Sequence, residues 1–136
     1  MTALKPKLLA LDNDETVLRD IARVLVGHFT VLPVRQPVRA VGLLETQKDI
    51  RIFITEQVLS TADGVELLET VRSIRPDVRR IMLTTYTDLA SIVSGLHSGA
   101  IERLVQKPLC DAELLAVVCP ELPTQSRGVN TACAAG

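Results

Sequence analysis

Short apolar runs alternate along this chain with segments in which apolar residues recur at helical spacing. The runs have strand length and lie at residues 8–11, 30–33, 50–55, 80–84 and 101–105. Strands that alternate with amphipathic helices form right-handed βαβ units, which assemble into a parallel sheet. Helices then cover both faces of the sheet, which explains why the runs are apolar throughout. The alternation therefore predicts an α/β fold with an open, doubly wound, five-stranded parallel sheet.

The size and charge of the chain limit its partners. It has 136 residues, of which 47% are apolar, enough to bury the core of one domain. Its 15 basic and 16 acidic residues nearly cancel, so no strong field would attract nucleic acid or a membrane surface. No apolar run approaches the roughly 20 residues that a membrane helix needs. We therefore expect a protein partner, with no direct nucleic-acid contact and no membrane association.

The cysteines bear on the compartment. Cys110, Cys119 and Cys133 are odd in number and have no metal-binding spacing, and the chain does not begin with a signal peptide. These features favour reduced thiols over a disulfide framework or a zinc site. Reduced thiols are typical of the cytoplasm, where we expect the protein to act.

Polar residues follow several of the predicted strands at the point where each strand ends. They are Asp12, Asn13, Glu56, Thr84 and Lys107. Ligands of open α/β sheets bind at the carboxyl edge of the strands, so these side chains are the candidate site. Clustered carboxylates repel one another unless a hard divalent cation or an ammonium group lies between them. No glycine-rich phosphate loop accompanies them, so we expect no nucleotide cofactor.

The order and spacing of five short motifs resemble those of a response-regulator receiver domain of two-component signalling. The motifs are Leu8-Leu9-Ala10-Leu11-Asp12-Asn13-Asp14-Glu15, Thr55-Glu56-Gln57, Asp63-Gly64-Val65-Glu66-Leu67-Leu68, Leu83-Thr84-Thr85-Tyr86 and Lys107-Pro108. They look most like receivers of hydrogenase-type transcriptional regulators and of cyclic-di-GMP phosphodiesterase regulators. The resemblance implies a flavodoxin-like strand order of 2-1-3-4-5. It also implies a receiver domain over residues 1–119, followed by a linker or disordered tail over residues 120–136.

The resemblance assigns roles to the strand-end residues. Asp12 and Asn13 occupy the places of the two acids that hold Mg²⁺, and Glu56 occupies the place of the phosphorylated aspartate. Thr84 corresponds to the switch hydroxyl, and Lys107 to the family's lysine. A threonine and a lysine in these places would let the Glu56 carboxylate accept a hydrogen bond from one and a charge contact from the other.

Four departures from the family pattern argue against phosphorylation. Glu56 is longer than aspartate by about 1.5 Å, one carbon–carbon bond, and a misplacement of about 1 Å can slow phosphoryl transfer roughly a hundredfold. Asn13 replaces an acid, so any Mg²⁺ site formed by Asp12, Asn13 and Glu56 is weak or lost. Ser60 replaces a proline of the acceptor loop. Leu104 replaces the aromatic side chain that normally moves on activation.

These departures favour a pseudo-receiver that acts through protein contacts and needs no cofactor. A phosphorylatable receiver is the alternative within the family. We expect a covalently linked output domain or another protein as partner, and a homodimer through the fourth helix, fifth strand and fifth helix. On the fourth helix we expect Leu89, Ile92, Val93 and Leu96 to face inward.

An enzyme of another class also fits part of the sequence. Asp12-Asn13-Asp14-Glu15-Thr16 satisfies the DxDxT pattern of haloacid-dehalogenase-like phosphatases, in which Asp12 would be the nucleophile and Asp14 the general acid. That chemistry needs a further acidic pair at a later strand end, and no such strand follows Lys107. We therefore expect a protein that is not an enzyme.

Overall fold

A computed structural model describes residues 5–59 and 62–120 of the chain. The strands are β1 (Lys7–Leu11), β2 (Thr30–Val34), β3 (Ile50–Glu56), β4 (Arg79–Thr84) and β5 (Arg103–Gln106). The helices are α1 (Glu15–Leu25), α2 (Pro37–Thr46), α3 (Gly64–Ile74), α4 (Leu89–Ser98) and α5 (Asp111–Val118). Strands and helices alternate strictly, as the sequence predicts.

The five strands form one parallel sheet in the order β2-β1-β3-β4-β5. The fold prediction is therefore confirmed, including the flavodoxin-like strand order. Leu11 pairs with Thr55, and Glu56 pairs with Leu83. This register brings the carboxyl ends of β1, β3 and β4 to one edge of the sheet, where the candidate site lies.

Alternate residues of the central strands enter two separate apolar cores. Leu9 and Phe53 belong to the core beneath α2 and α3, whereas Leu8 and Ile54 belong to the core beneath α1 and α5. All four side chains are fully buried. Burial of each such side chain contributes about 2 kcal/mol, which is why the strands need apolar residues at successive positions.

The opposite, amino edge of the sheet is held by arginines that bind helix ends. Arg75, which is 4% exposed, donates to the carbonyls of Leu44 at 2.8 Å and Ile50 at 2.8 Å. Arg79 donates to the last carbonyls of α5, and Arg80 to those of Gly99 and Ala100 after α4. The last carbonyls of a helix have no hydrogen-bond donor within the helix, and these guanidinium groups donate to them instead.

Helix α4 differs from the sequence prediction. Ile92 is buried as expected, but Leu89, Val93 and Leu96 are exposed by 59%, 62% and 43%. The inward position is taken by Gly95, whose missing side chain leaves room for Ile101 and Val65 against the helix. The helix is therefore rotated so that a small residue, and not the full apolar stripe, faces the core.

The structure also differs from the sequence predictions at the start of the fifth strand and in the state of one cysteine. The fifth strand begins at Arg103 and not at residue 101, because the Ile101 amide donates to the Gly95 carbonyl and Ile101 packs under α4. Cys110 is disulfide-bonded, contrary to the expectation of reduced thiols.

Two predicted features lie outside the described residues: Ser60 and nearly all of the tail at residues 120–136. Across the described parts of the chain, no helix combines the length and apolar character needed to cross a membrane.

Candidate functional site

The carboxyl edge of the sheet brings four of the predicted site residues into one hydrogen-bonded cluster. Asp12 and Asn13 follow β1, Glu56 ends β3, and Lys107 follows β5. Asp14 begins α1 as its N-cap, accepting a hydrogen bond from the Thr16 amide at 2.8 Å, and so fixes the turn that carries Asp12 and Asn13.

The ammonium group of Lys107 lies between two carboxylates. Its Nζ atom is 2.9 Å from Asp12 Oδ2 and 3.1 Å from Glu56 Oε1. Asp12 is fully buried, and the Glu56 side chain is 13% exposed. Two buried carboxylates this close repel each other, and one shared cation relieves that repulsion. The predicted contact between Glu56 and Lys107 is therefore present.

Both oxygens of the Glu56 carboxylate are engaged. Oε1 accepts from Lys107, and Oε2 accepts from the backbone amide of Asn13 at 2.7 Å. The pKa of Glu56 is raised above its ordinary value of 4.5, chiefly by burial and also by the Asp12 charge, against the lowering effects of Asn13 and Lys107. The longer side chain thus allows Glu56 to reach across to the β1–α1 turn.

Asp12 and Lys107 stabilise each other. Asp12 Oδ1 accepts from the Asp14 amide at 2.9 Å, while Oδ2 is buried and has the Lys107 ion pair but no well-aligned hydrogen-bond donor among the described residues. Burial of Lys107 by itself would lower its pKa, but the nearby Asp12 and Glu56 carboxylates outweigh that effect and raise the pKa. Lys107 is therefore held firmly in its charged form.

The carboxylate oxygens of Asp12 and Glu56 each face a donor from within the protein, at the place where the receiver resemblance assigns Mg²⁺. A hard cation needs several convergent oxygens with free lone pairs. Three of the four carboxylate oxygens of Asp12 and Glu56 already accept hydrogen bonds, and the fourth, Asp12 Oδ2, faces the Lys107 ammonium. The Asn13 amide nitrogen points toward the Val58 carbonyl at 3.5 Å. Within residues 5–59 and 62–120, no three acidic, histidine or cysteine side chains are grouped to hold a metal.

Among the described residues, the Thr84 hydroxyl makes no hydrogen bond to the Glu56 carboxylate, contrary to the sequence expectation. Its hydroxyl donates to the side-chain oxygen of Gln57 at 2.7 Å and accepts from the Tyr86 amide at 2.8 Å. The amide nitrogen of Gln57 donates in turn to the Asp88 carbonyl at 3.3 Å. Gln57 is 5% exposed and Thr84 is 2% exposed, so these are interior hydrogen bonds. The Thr84 hydroxyl is therefore committed to the residue beside the acceptor position.

Sequence reasoning missed Gln57. It was treated only as part of a motif, although an uncharged polar residue directly after a buried strand needs a hydrogen-bond partner if it is buried too. Residues that follow one another on a strand point in different directions. That rule was the available signal that Gln57 would turn away from Glu56, toward the neighbouring strand and its loop.

The loop between β4 and α4 has an uncommon backbone. Tyr86 has φ 63° and Asp88 has φ 52°, both in the left-handed region. For residues other than glycine this region costs about 1–2 kcal/mol each. Asp88 offsets part of this cost as the N-cap of α4, accepting from the Ser91 amide at 3.2 Å. The loop conformation therefore depends on interactions with its surroundings.

Gly64 is required where α3 meets the end of β3. A Cβ atom at this position would clash with the carbonyl of Glu56 and with the backbone of Gln57. The Gly64 amide donates to the Gln57 carbonyl at 2.6 Å. This close approach fixes the backbone of the two residues whose side chains diverge, Glu56 toward β1 and Gln57 toward β4.

Leu104, in the place of the mobile aromatic residue, lies on β5 and is partly buried against the core on the α2–α3 side of the sheet. Because Leu104 has no aromatic ring, the ring rotation that accompanies activation in the family has no counterpart at this position.

The whole fold and the site together define the class of protein. Residues 8–119 match the family model of the response regulator receiver domain. A chemotaxis protein CheY homolog of Campylobacter jejuni is 32% identical over 106 residues, which span 75% of this chain and 81% of that protein. This chain therefore belongs to the response-regulator receiver family and is a receiver domain of two-component signalling.

Longer relatives and a solved structure agree with this assignment. The hydrogenase transcriptional regulatory protein HoxA of Cupriavidus necator is 32% identical over 107 residues, which cover 78% of this chain but only 22% of HoxA. The signal receiver domain of an HD domain-containing protein from Pseudomonas fluorescens Pf-5 superimposes with a TM-score of 0.77. It is 30% identical, with 84% of this chain and 91% of that chain covered. These matches give the phosphatase alternative no support.

Replacing Lys107 tests the charge balance of the cluster. Lys107→Met leaves Asp12 and Glu56 buried without a counter-charge, so we expect the free energy of unfolding at neutral pH to fall by about 3 kcal/mol. Urea unfolding measures this loss. Adding Glu56→Gln to Lys107→Met should restore part of it, and Lys48→Met on the surface should change stability by no more than about 0.5 kcal/mol. A Lys107→Met protein as stable as wild type would contradict the argument.

The raised pKa of Glu56 predicts a pH dependence. A carboxyl group whose pKa is higher in the folded chain binds its proton more tightly there, so ionisation of Glu56 reduces stability as pH rises from its ordinary value through the raised one. Glu56→Gln removes this effect. Urea unfolding between about pH 4 and pH 8, with a chelator present, should show the variant gaining stability relative to wild type as pH rises. If the difference in unfolding free energy between Glu56→Gln and wild type does not change with pH, Glu56 does not titrate as described.

Proposed function

We propose that this receiver domain is a pseudo-receiver: Glu56 is not phosphorylated, and the domain acts through protein contacts. One observation carries the proposal, namely that both carboxylate oxygens of Glu56 are held by Asn13 and Lys107 inside the cluster. An in-line attack on a phosphoryl donor needs a carboxylate oxygen that is free and correctly placed. Glu56 could offer one only after breaking an interaction that stabilises the folded chain.

The surroundings of Glu56 support the same proposal. Phosphoryl transfer to a receiver relies on a cation to neutralise the charge that develops. Here Lys107 already offsets one of the two carboxylate charges, and Asn13 contributes an amide where a second acid would add negative charge. The Thr84 hydroxyl, which would contact an attached phosphoryl group in the family mechanism, is bonded to Gln57. In this proposal Mg²⁺ is not required.

Intact-mass measurement after incubation with Mg²⁺ and acetyl phosphate tests the proposal. We expect wild-type protein to gain no phosphoryl group, whereas Glu56→Asp combined with Asn13→Asp should gain one at least partially. The double substitution shortens the acceptor and restores an acidic ligand. Phosphorylation of wild type that is lost in Glu56→Gln would overturn the proposal and establish a phosphorylatable receiver.

We further propose that a second copy of the chain binds the exposed face of α4, with β5 and α5 completing the contact. Leu89, Val93 and Leu96 recur at helical spacing and are all exposed. Helix α4 contains no acidic residue, lysine or arginine. A two-fold dimer places the same surface against itself, and an uncharged apolar face meets no like-charge repulsion in that arrangement.

Sedimentation equilibrium tests this dimer. Val93→Glu should weaken self-association at least about tenfold, because two copies would bury like charges against each other. Val38→Glu is the matched control, since Val38 is 81% exposed but lies on α2. A wild-type protein that stays monomeric, or a dimer that tolerates Val93→Glu, would exclude this interface and favour a linked output domain as the partner.

A further inference from the structure

We infer that Gln57 is a positioning residue for the exposed face of α4: its side-chain amide holds the β4–α4 loop, from which that helix begins. This role belongs to Gln57, the residue beside the acceptor position, and not to Glu56 at the acceptor position itself. It does not rest on the proposed lack of phosphorylation, because it concerns contacts within the unmodified protein.

Both ends of the Gln57 amide are used. Its oxygen accepts from the Thr84 hydroxyl at 2.7 Å, and its nitrogen donates to the Asp88 carbonyl at 3.3 Å. A carbonyl can only accept, so the nitrogen must face Asp88 and the oxygen must face Thr84. The side chain therefore has one orientation that satisfies both partners, and it bridges the end of β4 and the start of α4.

The two partners of Gln57 control the loop between them. Thr84 accepts from the Tyr86 amide, and Asp88 caps α4 through the Ser91 amide. Tyr86 and Asp88 have left-handed backbone conformations that residues other than glycine rarely adopt unaided. Gln57 thus braces a strained loop at both of its ends, and the loop sets the position from which α4 begins.

The Glu56 carboxylate is separate from this network. Its bonds go to Asn13 and Lys107, on the side of the sheet edge formed by β1 and the β5–α5 connection. In the described parts of the chain, no hydrogen bond joins the Glu56 carboxylate to Thr84, to the Gln57 side chain or to the β4–α4 loop. The Glu56 carboxylate therefore makes no direct hydrogen bond that would position α4, whereas the Gln57 side chain makes two that bear on its loop.

Amide hydrogen exchange of the full chain separates the two roles. Gln57→Met keeps a side chain of similar volume but removes both hydrogen bonds, so the amides of Tyr86 and Ser91 should exchange at least about fivefold faster than in wild type. Glu56→Gln should leave both amides within about twofold of wild type. Gln106→Met, an exposed glutamine on β5 at the same edge, is the matched control and should also leave them unchanged.

Two outcomes would overturn the inference: unchanged exchange of the loop in Gln57→Met, or a change in Glu56→Gln as large as that in Gln57→Met. Thr84→Val keeps the test decisive if Gln57→Met does not fold, because it removes the hydroxyl that Gln57 binds. Thr84→Val should speed exchange at Tyr86, whose amide binds the Thr84 hydroxyl directly, and also at Ser91, which is reached through Gln57 and Asp88; unchanged protection at Ser91 would refute the bridge. Where both variants fold, their combination should be less than additive, because both remove the same hydrogen bond.

Discussion

The carboxyl edge of the sheet depends on the ion pairs that the Lys107 ammonium group makes with two buried carboxylates. Asp12 has no access to solvent and Glu56 has little, so water cannot relieve the repulsion between their carboxylates, and the Lys107 ammonium group between them does so. The lysine comes from the connection after β5, whereas the acids come from β1 and β3. One charge therefore ties together the ends of three strands that are distant in sequence.

The extra methylene of glutamate changes what the edge can do. The longer Glu56 side chain reaches the Asn13 amide and accepts a hydrogen bond from it. Gln57 binds Thr84 on the β4 side of the same edge. The acceptor, hydroxyl and lysine positions of a receiver site are occupied by Glu56, Thr84 and Lys107. Each of these side chains is held by hydrogen bonds within the protein, Glu56 and Lys107 in one set and Thr84 in another.

The sequence was sufficient for features that depend on pattern. Apolar runs predicted the sheet, and strand ends predicted the meeting of Asp12, Asn13, Glu56 and Lys107, because parallel strands end at one edge. It was insufficient where tertiary contacts choose between alternatives. Helical spacing marks Leu89, Val93 and Leu96 as apolar, but only the packing of Gly95 shows that they face outward. The role of Gln57 could not be predicted, because the sequence does not show that the Thr84 side chain lies opposite it.

The arginines at the amino edge give helix α4 two unlike ends. Arg80 binds the carbonyls of Gly99 and Ala100, so the last turn of α4 is anchored by a group whose donors are fixed in a plane and always charged. Its first turn follows the β4–α4 loop, where the Asp88 carboxylate caps the helix and the Asp88 carbonyl accepts from Gln57. Ten residues make α4 about 15 Å long. The two ends of α4 are therefore held unequally, and Leu89 lies about 10 Å farther along the helix from the Arg80 anchor than Leu96 does.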